Sequence, residues 1–264
     1  MREMTLDEIK RTELDILKHV ADFCDANGIN YCLAYGTLIG AVRHKGFIPW
    51  DDDIDIWMSL EDYKKFIAEY KDEDFPLRCI ENTTTFLQPF AKIVSVPTEI
   101  TELASKNYTG AGVYIDIFVL TNTSGNSCFR KIEQGILKAI AFQHSIATFE
   151  LTKKDRPLWK RVIIHIAQLT AKIFNTQVCV KLMWAVTNFF ASENSEYMFC
   201  LPDCKCLYKK AWFKNFAETD FEGMKFKIPA EYDKILTHIY GDYMTLPPVE
   251  QRVSNHSFAA YWKD

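Results

Sequence analysis

The sequence predicts an α+β fold carrying a helical subdomain, and three features of its 264 residues support that reading. Residues 5–28 set apolar side chains at helical spacing. Between Asp53 and Leu120, short runs rich in Val, Ile and aromatics are separated by turn-forming clusters, as strands are. From Cys128 to Ala191 the spacing is helical over long stretches with few turn signals. A run of strands followed by a run of helices indicates an α+β chain.

The first helix starts at a capping box, Thr5 with Glu8. Leu6, Ile9, Ile16, Leu17, Val20 and Cys24 form its apolar stripe before Asn27-Gly28 stops it. Tyr31 to Ala34 is short and apolar. Gly36-Thr37 is expected to turn the chain into Leu38 to Arg43, giving a strand, a tight turn and a helix start. Backbone N–H groups at such a turn can bind phosphate. Asp53 to Ile56 reads as a strand of period two. Asp51, Asp53 and Asp55 are therefore expected on one face, and Asp52, Ile54 and Ile56 on the other, with Asp52 a partner for Arg43, His44 or a backbone donor. Ser59 to Asp62 opens a second helix with Tyr63, Phe66, Ile67 and Tyr70 as its stripe.

Strands are then expected from Leu77 to Glu81, Phe90 to Val96, Glu99 to Leu103 and Val113 to Leu120. The last holds Asp116 inside an apolar run, where a lone carboxylate is costly to bury unless it is paired or bound to a cation. The helical region breaks near Asp155-Arg156-Pro157 and Asn175-Thr176. It carries ten basic and three acidic residues, a net +7 that leaves −11 for the rest of the chain. Phe221 to Met224 is a turn between short strands, and Pro229 is expected as the first residue of a helix closing at Gly241. The expected organisation is a catalytic core over 1–127, a basic helical subdomain over 128–191, and a segment 192–264 that completes the catalytic part.

An apolar content of 48% supports a real core. The net charge of −4 and pI near 5.9 argue against nucleic acid as the main partner and leave small anionic ligands open. Charges stand where an export signal would need an apolar segment. Lys138, Glu150, Lys160, Lys172 and Lys181 interrupt every apolar window of about 18 residues, so no spanning helix is expected. Eight scattered cysteines then read as reduced thiols in a cytoplasmic protein. Cys200, Cys204 and Cys206 do not have a common zinc spacing. His144, His165 and His238 read as ordinary core or surface histidines. Trp212, Tyr240 and Tyr243 are candidates for an aromatic cage around a quaternary ammonium.

The stretch from Gly36 through Gly46, joined to Pro49-Trp50-Asp51-Asp52-Asp53-Ile54-Asp55, resembles the LicD family of bacterial phosphocholine transferases, relatives of fukutin and the fukutin-related protein. Weaker similarity runs through Lys92-Ile93, Ile115 to Phe118, Phe221-Glu222, Ile228-Pro229 and Tyr240 to Pro248. The resemblance implies a polymerase-beta-like nucleotidyltransferase core, a mixed sheet with flanking helices. It also implies transfer of a phosphoalcohol, phosphocholine foremost, from a CDP-alcohol to a sugar hydroxyl. Asp53, Asp55 and Asp116 match the family's metal-binding carboxylates, with Asp116 also a candidate base, and Mg²⁺ or Mn²⁺ is the implied cofactor. Gly36, Thr37, Arg43, Lys45, Lys92 and Asp51 are the implied substrate-side residues.

The expected partners are the CDP-alcohol and a glycan or lipid-linked saccharide, with peripheral membrane contact through 128–191 at the inner face. Transfer of phosphoethanolamine or ribitol phosphate, or a non-catalytic nucleotide- or glycan-binding module, are the alternatives. For Asp53 and Asp55 taken alone, a solvated surface strand is an equal reading. Arg43, Lys45 and Lys92 read equally well as basic side chains facing water.

Overall fold

The computed structural model describes residues 1–83, 86–102, 112–148, 157–202, 204, 206–253 and 258–263. In chain order the elements are β1 (Arg2–Glu3), α1 (Leu6–Asn27), β2 (Cys32–Leu33), α2 (Tyr35–Ile39), β3 (Asp55–Ser59), α3 (Leu60–Glu69), β4 (Leu77–Arg78), β5 (Ala91–Val94), β6 (Thr98–Glu102) and β7 (Tyr114–Asn122). There follow α4 (Ser127–Thr148), α5 (Leu158–Thr170), α6 (Thr176–Phe190), β8 (Tyr197–Leu201), β9 (Tyr208–Lys209), β10 (Phe216–Phe221), β11 (Met224–Pro229), α7 (Tyr232–Tyr240) and β12 (Phe258–Trp262). This is a mixed α/β architecture with a mixed sheet and flanking helices.

Seven strands form the main sheet, in the order β2-β3-β7-β5-β4, with β8 beside the second half of β7 and β9 beside β8. Among the described residues only β3 and β7 run parallel; the other pairs are antiparallel. Ile54, Ile56, Ile115, Ile117 and Ile93 alternate away from the charged face. They share one core with Ile16, Leu17 and Val20 of α1 and with Tyr63 and Phe66 of α3. A three-stranded sheet, β1-β12-β6, and the β10–β11 hairpin complete the strands.

Local chemistry explains most boundaries. Thr5 and Glu8 make the capping box of α1, and Gly28 ends it at φ 62°. Ser59 caps α3 by accepting from Asp62 N–H, and Asn175 caps α6 by accepting from Val178 N–H. The hairpin turn is Glu222-Gly223, both at positive φ, as a two-residue connection requires.

Four local expectations are corrected. Gly36 is not a turn. Tyr35, at φ 40°, makes the bend, and the chain runs helically through α2 into a π-helical turn over Gly40–His44. The strand expected to Glu81 stops at Arg78, because Asn82 takes the Cys79 N–H and donates to the Leu77 carbonyl. Pro229 ends β11 opposite Phe216, at the rim of the hairpin where a missing N–H costs nothing, and α7 begins later, at Tyr232. The alternation expected from Asp51 fails because residues 51–54 are irregular and β3 begins only at Asp55. The expected end at Leu103 and break at Asp155-Arg156 lie outside the described residues.

Ile117 is fully buried in the central strand. Ile117→Ala should lower the unfolding free energy by about 2–5 kcal/mol, read from urea denaturation.

Candidate active site

The site is built on a row of three charged residues across adjacent strands. Asp55 of β3 pairs in register with Asp116 of β7, and Asp116 pairs in register with Lys92 of β5. In-register partners share a face, so one carboxylate lies between another carboxylate and an ammonium. The Lys92 Nζ donates to Asp116 Oδ1 at 2.7 Å and lies 3.2 Å from the Tyr114 ring centroid. Lys92 is 4% exposed, so the expected solvent-facing alternative does not hold for it. Its ammonium is committed to holding Asp116.

A second group of carboxylates lies just before β3. One oxygen each from Asp51, Asp52 and Asp53 lies within 4.8 Å of the others, so Asp52 joins the cluster instead of pointing away. A turn closed by Asp51 N–H on the Ile48 carbonyl feeds this segment, and Lys10 of α1 reaches the Ile48 and Pro49 carbonyls. Gly36 makes room for it: a Cβ there would stand 2.5 Å from Asp51 Oδ2. Thr37 is buried and its Oγ1 accepts the Asp55 N–H at 2.9 Å, fixing the first residue of β3. Both residues therefore place acidic groups, whatever they contribute to substrate.

Sequence reasoning missed Glu13. It occupies the centre of the buried stripe of α1, is 2% exposed, and its Oε2 is buried with no hydrogen-bond partner. Burial, then the charges of Asp53, Asp52, Asp55 and Asp116, push its carboxyl well above the usual range. Burial, then Asp53, Asp116 and Asp51, do the same to Asp55, opposed by Lys92. The periodicity held the clue: Glu13 follows Ile9 by four residues and precedes Leu17 by four, a position where an apolar side chain is expected. Tyr240, nearly half exposed, has its phenol pushed up by burial of the hydroxyl and by Asp55, Asp51 and Asp53.

The arrangement fits a hard divalent cation. Several carboxylates share one partly buried place, one of them has an unsatisfied buried oxygen, and neither imidazole nor thiolate belongs to the cluster of Asp51, Asp52 and Asp53.

Positive charge gathers at the π-helical turn. Arg43 donates to His44 Nε2 at 2.9 Å and to the Tyr243 carbonyl at 2.5 Å. Burial, with Arg252 nearby, lowers the Arg43 pKa, and burial then Arg43 lower that of His44. Arg252, another residue the motif did not flag, lies over Trp50 at 5.6 Å. Lys45 is exposed at φ 60°, and its carbonyl accepts from Glu222 N–H.

Two of the three aromatics have separate partners: Trp212 packs on His238, and the Tyr243 hydroxyl donates to Asp233. Cys24, Cys32, Cys79, Cys128 and Cys179 are free thiols. His144 is buried with Nε2 on the Leu87 carbonyl.

Residues 28–146, which contain this carboxylate row and the acidic turn, match the family model described as LicD/FKTN/FKRP, nucleotidyltransferase domain. The site thus lies inside a segment whose family description names a transferase domain. Over 281 aligned positions covering 99% of both chains, the sequence is 28% identical to the lipopolysaccharide cholinephosphotransferase LicD of Haemophilus influenzae. It is 44% identical over 45 residues to the human ribitol 5-phosphate transferase FKRP, covering 17% of this chain and 9% of that one. An uncharacterized protein of Rickettsia prowazekii is 47% identical over 47 residues, 18% of each chain. Over residues 28–146 the chain is similar to the LicD family, and the similarity to a cholinephosphotransferase runs its whole length.

Two substitutions test this electrostatic arrangement. Lys92→Met leaves Asp116 without its counter-charge and should cost about 3–5 kcal/mol in urea denaturation. Glu13→Gln should gain stability relative to the parent as pH rises. A carboxyl raised in the folded state binds more protons folded than unfolded, so its contribution falls once pH passes the unfolded value of about 4.3. The difference between Glu13→Gln and the parent in metal-free buffer should therefore widen from that pH upward, and a flat difference would remove Glu13 from the acidic site.

Proposed function

We propose that this protein transfers a phosphoalcohol, phosphocholine foremost, from a CDP-activated donor to a sugar hydroxyl of a cell-surface glycan, on a nucleotidyltransferase-type core. The observation that carries this reading is the Asp55–Asp116 register beside the acidic turn, inside the segment that matches the LicD family. The catalytic part comprises 1–127 with 192–264, residues 128–191 are an accessory helical subdomain, and the reaction takes place on the cytoplasmic side.

Asp53, Asp55 and Asp116 would hold Mg²⁺, or Mn²⁺ in its place, with Asp51 orienting the carboxylates around it. A cation there supplies charge neutralisation for the phosphoryl oxygens and the departing nucleotide. The acceptor oxygen forms a bond to the phosphorus bearing the alcohol, the bond from that phosphorus to the CMP oxygen breaks, and CMP leaves. The proton of the acceptor hydroxyl passes to the Asp116 carboxylate, which Lys92 keeps in one orientation through Oδ1. Arg43, with Arg252 beside it, and Lys45 supply positive charge toward the donor phosphates, and Gly36 and Thr37 set the floor beneath them.

Ribitol phosphate is the second candidate cargo, favoured by the short stretch of 44% identity to a ribitol 5-phosphate transferase. A thermal-shift panel of CDP-choline, CDP-ethanolamine and CDP-ribitol with and without Mg²⁺ separates these, and the cognate donor should raise the melting temperature only with metal present. Asp53→Asn and Asp55→Asn should lower transfer by at least about 10³-fold, roughly 4 kcal/mol of barrier, with the circular dichroism spectrum retained. Full activity in either variant would sink the assignment.

A further inference from the structure

Helices α4, α5 and α6 present a surface that the proposed reaction does not use. On α5, Trp159, Val162, Ile163, Ile166 and Leu169 fall within about 120° of the helix circumference. These five, with Ile173 in the turn that follows, are between 45% and 72% exposed. On the opposite side, Ile164 and Ala167 are buried with Ile146 of α4. The helix packs through a narrow apolar edge and leaves its broader apolar side open. An apolar patch of this kind on a folded chain marks a contact surface.

Among the described residues of these helices, the exposed charge has one sign. Residues 127–148 and 157–190 carry Arg130, Lys131, Lys138, Lys160, Arg161, Lys172 and Lys181, and their single carboxylate, Glu133, is fully buried on Thr123 and Ser124. Every ionic group these residues expose is cationic. On α5 itself, Lys160 flanks one edge of the stripe and Arg161 the other.

Apolar side chains, a tryptophan and a cationic border are the chemistry of a helix lying in a membrane interface. A second copy of the same face would set cation against cation. At 13 residues, α5 is about 20 Å long, short of a hydrocarbon core of about 30 Å. Among the described residues no helix is long and apolar enough to cross a membrane, so the contact lies in the membrane plane.

We propose that the outer face of α5 docks this protein on an anionic lipid bilayer, its apolar stripe entering the headgroup region and Lys160, Arg161 and Lys172 meeting lipid phosphates. The proposal does not depend on the reaction assigned above.

Flotation of the full chain with phosphatidylcholine vesicles, with and without phosphatidylglycerol, tests it. Binding should require phosphatidylglycerol and weaken with salt. Ile166→Ser combined with Leu169→Ser should reduce partitioning about tenfold or more while leaving circular dichroism and melting unchanged, since both side chains are exposed. Lys160→Ser combined with Arg161→Ser should reduce the phosphatidylglycerol-dependent part. Absence of binding to phosphatidylglycerol vesicles, or binding indifferent to the serine pair at 166 and 169, would overturn the proposal. So would a dimer, seen by light scattering, that this same pair dissolves, because the face would then be a contact between copies.

Discussion

Like charges gather in a poorly solvated place only where an opposite charge holds them, and the charged face of this sheet is organised around that constraint. Asp55 and Asp116 sit in register on parallel strands, and Lys92 closes the row from the antiparallel side. The lysine is buried against the partly buried Asp116, which compensates its charge there. Three residues spread over more than sixty positions of sequence become neighbours because β7 pairs with both β3 and β5.

The elements around the row hold the acidic turn against it. Helix α1 contributes Lys10 to the carbonyls before Asp51 and Glu13 to the cluster itself. Gly36 lets Asp51 approach α2, and Thr37 fixes the start of β3. The residues most alike to the LicD family thus have a structural reason for their spacing: they bring irregular backbone and a strand end to one place. A divalent cation would relieve the repulsion that burial and neighbouring charge now impose on Asp55 and Glu13.

The helical region has a different chemistry from the site. Among its described residues the exposed charge is cationic and much of α5 is apolar toward solvent, whereas the sheet carries Asp55 on its charged face, buried beside Asp116. A transferase whose acceptor is lipid-linked would benefit from being held at a surface, and the two regions allow that division of labour within one chain.

Elements set by nearby residues were legible from the sequence: the capped helices α1, α3 and α6, the β10–β11 turn, and the existence of strands at β3, β5 and β7. The motif containing Asp53 and Asp55 was legible as acidic chemistry, and Asp116 as an anomaly in an apolar strand. Strand ends were not, because side-chain hydrogen bonds such as those of Asn82 end pairing earlier than composition suggests. The convergence of Asp52 with its neighbours depends on an irregular segment that period-two reasoning cannot describe. Lys92 read equally as a substrate-side or a solvent-facing base, and Glu13 disappeared into an amphipathic pattern, because the burial of a charge depends on which partner the fold brings to it. The sequence by itself determined which groups could do chemistry; tertiary structure decided which of them share a low-dielectric site, since that depends on strand order and register, not on proximity along the chain.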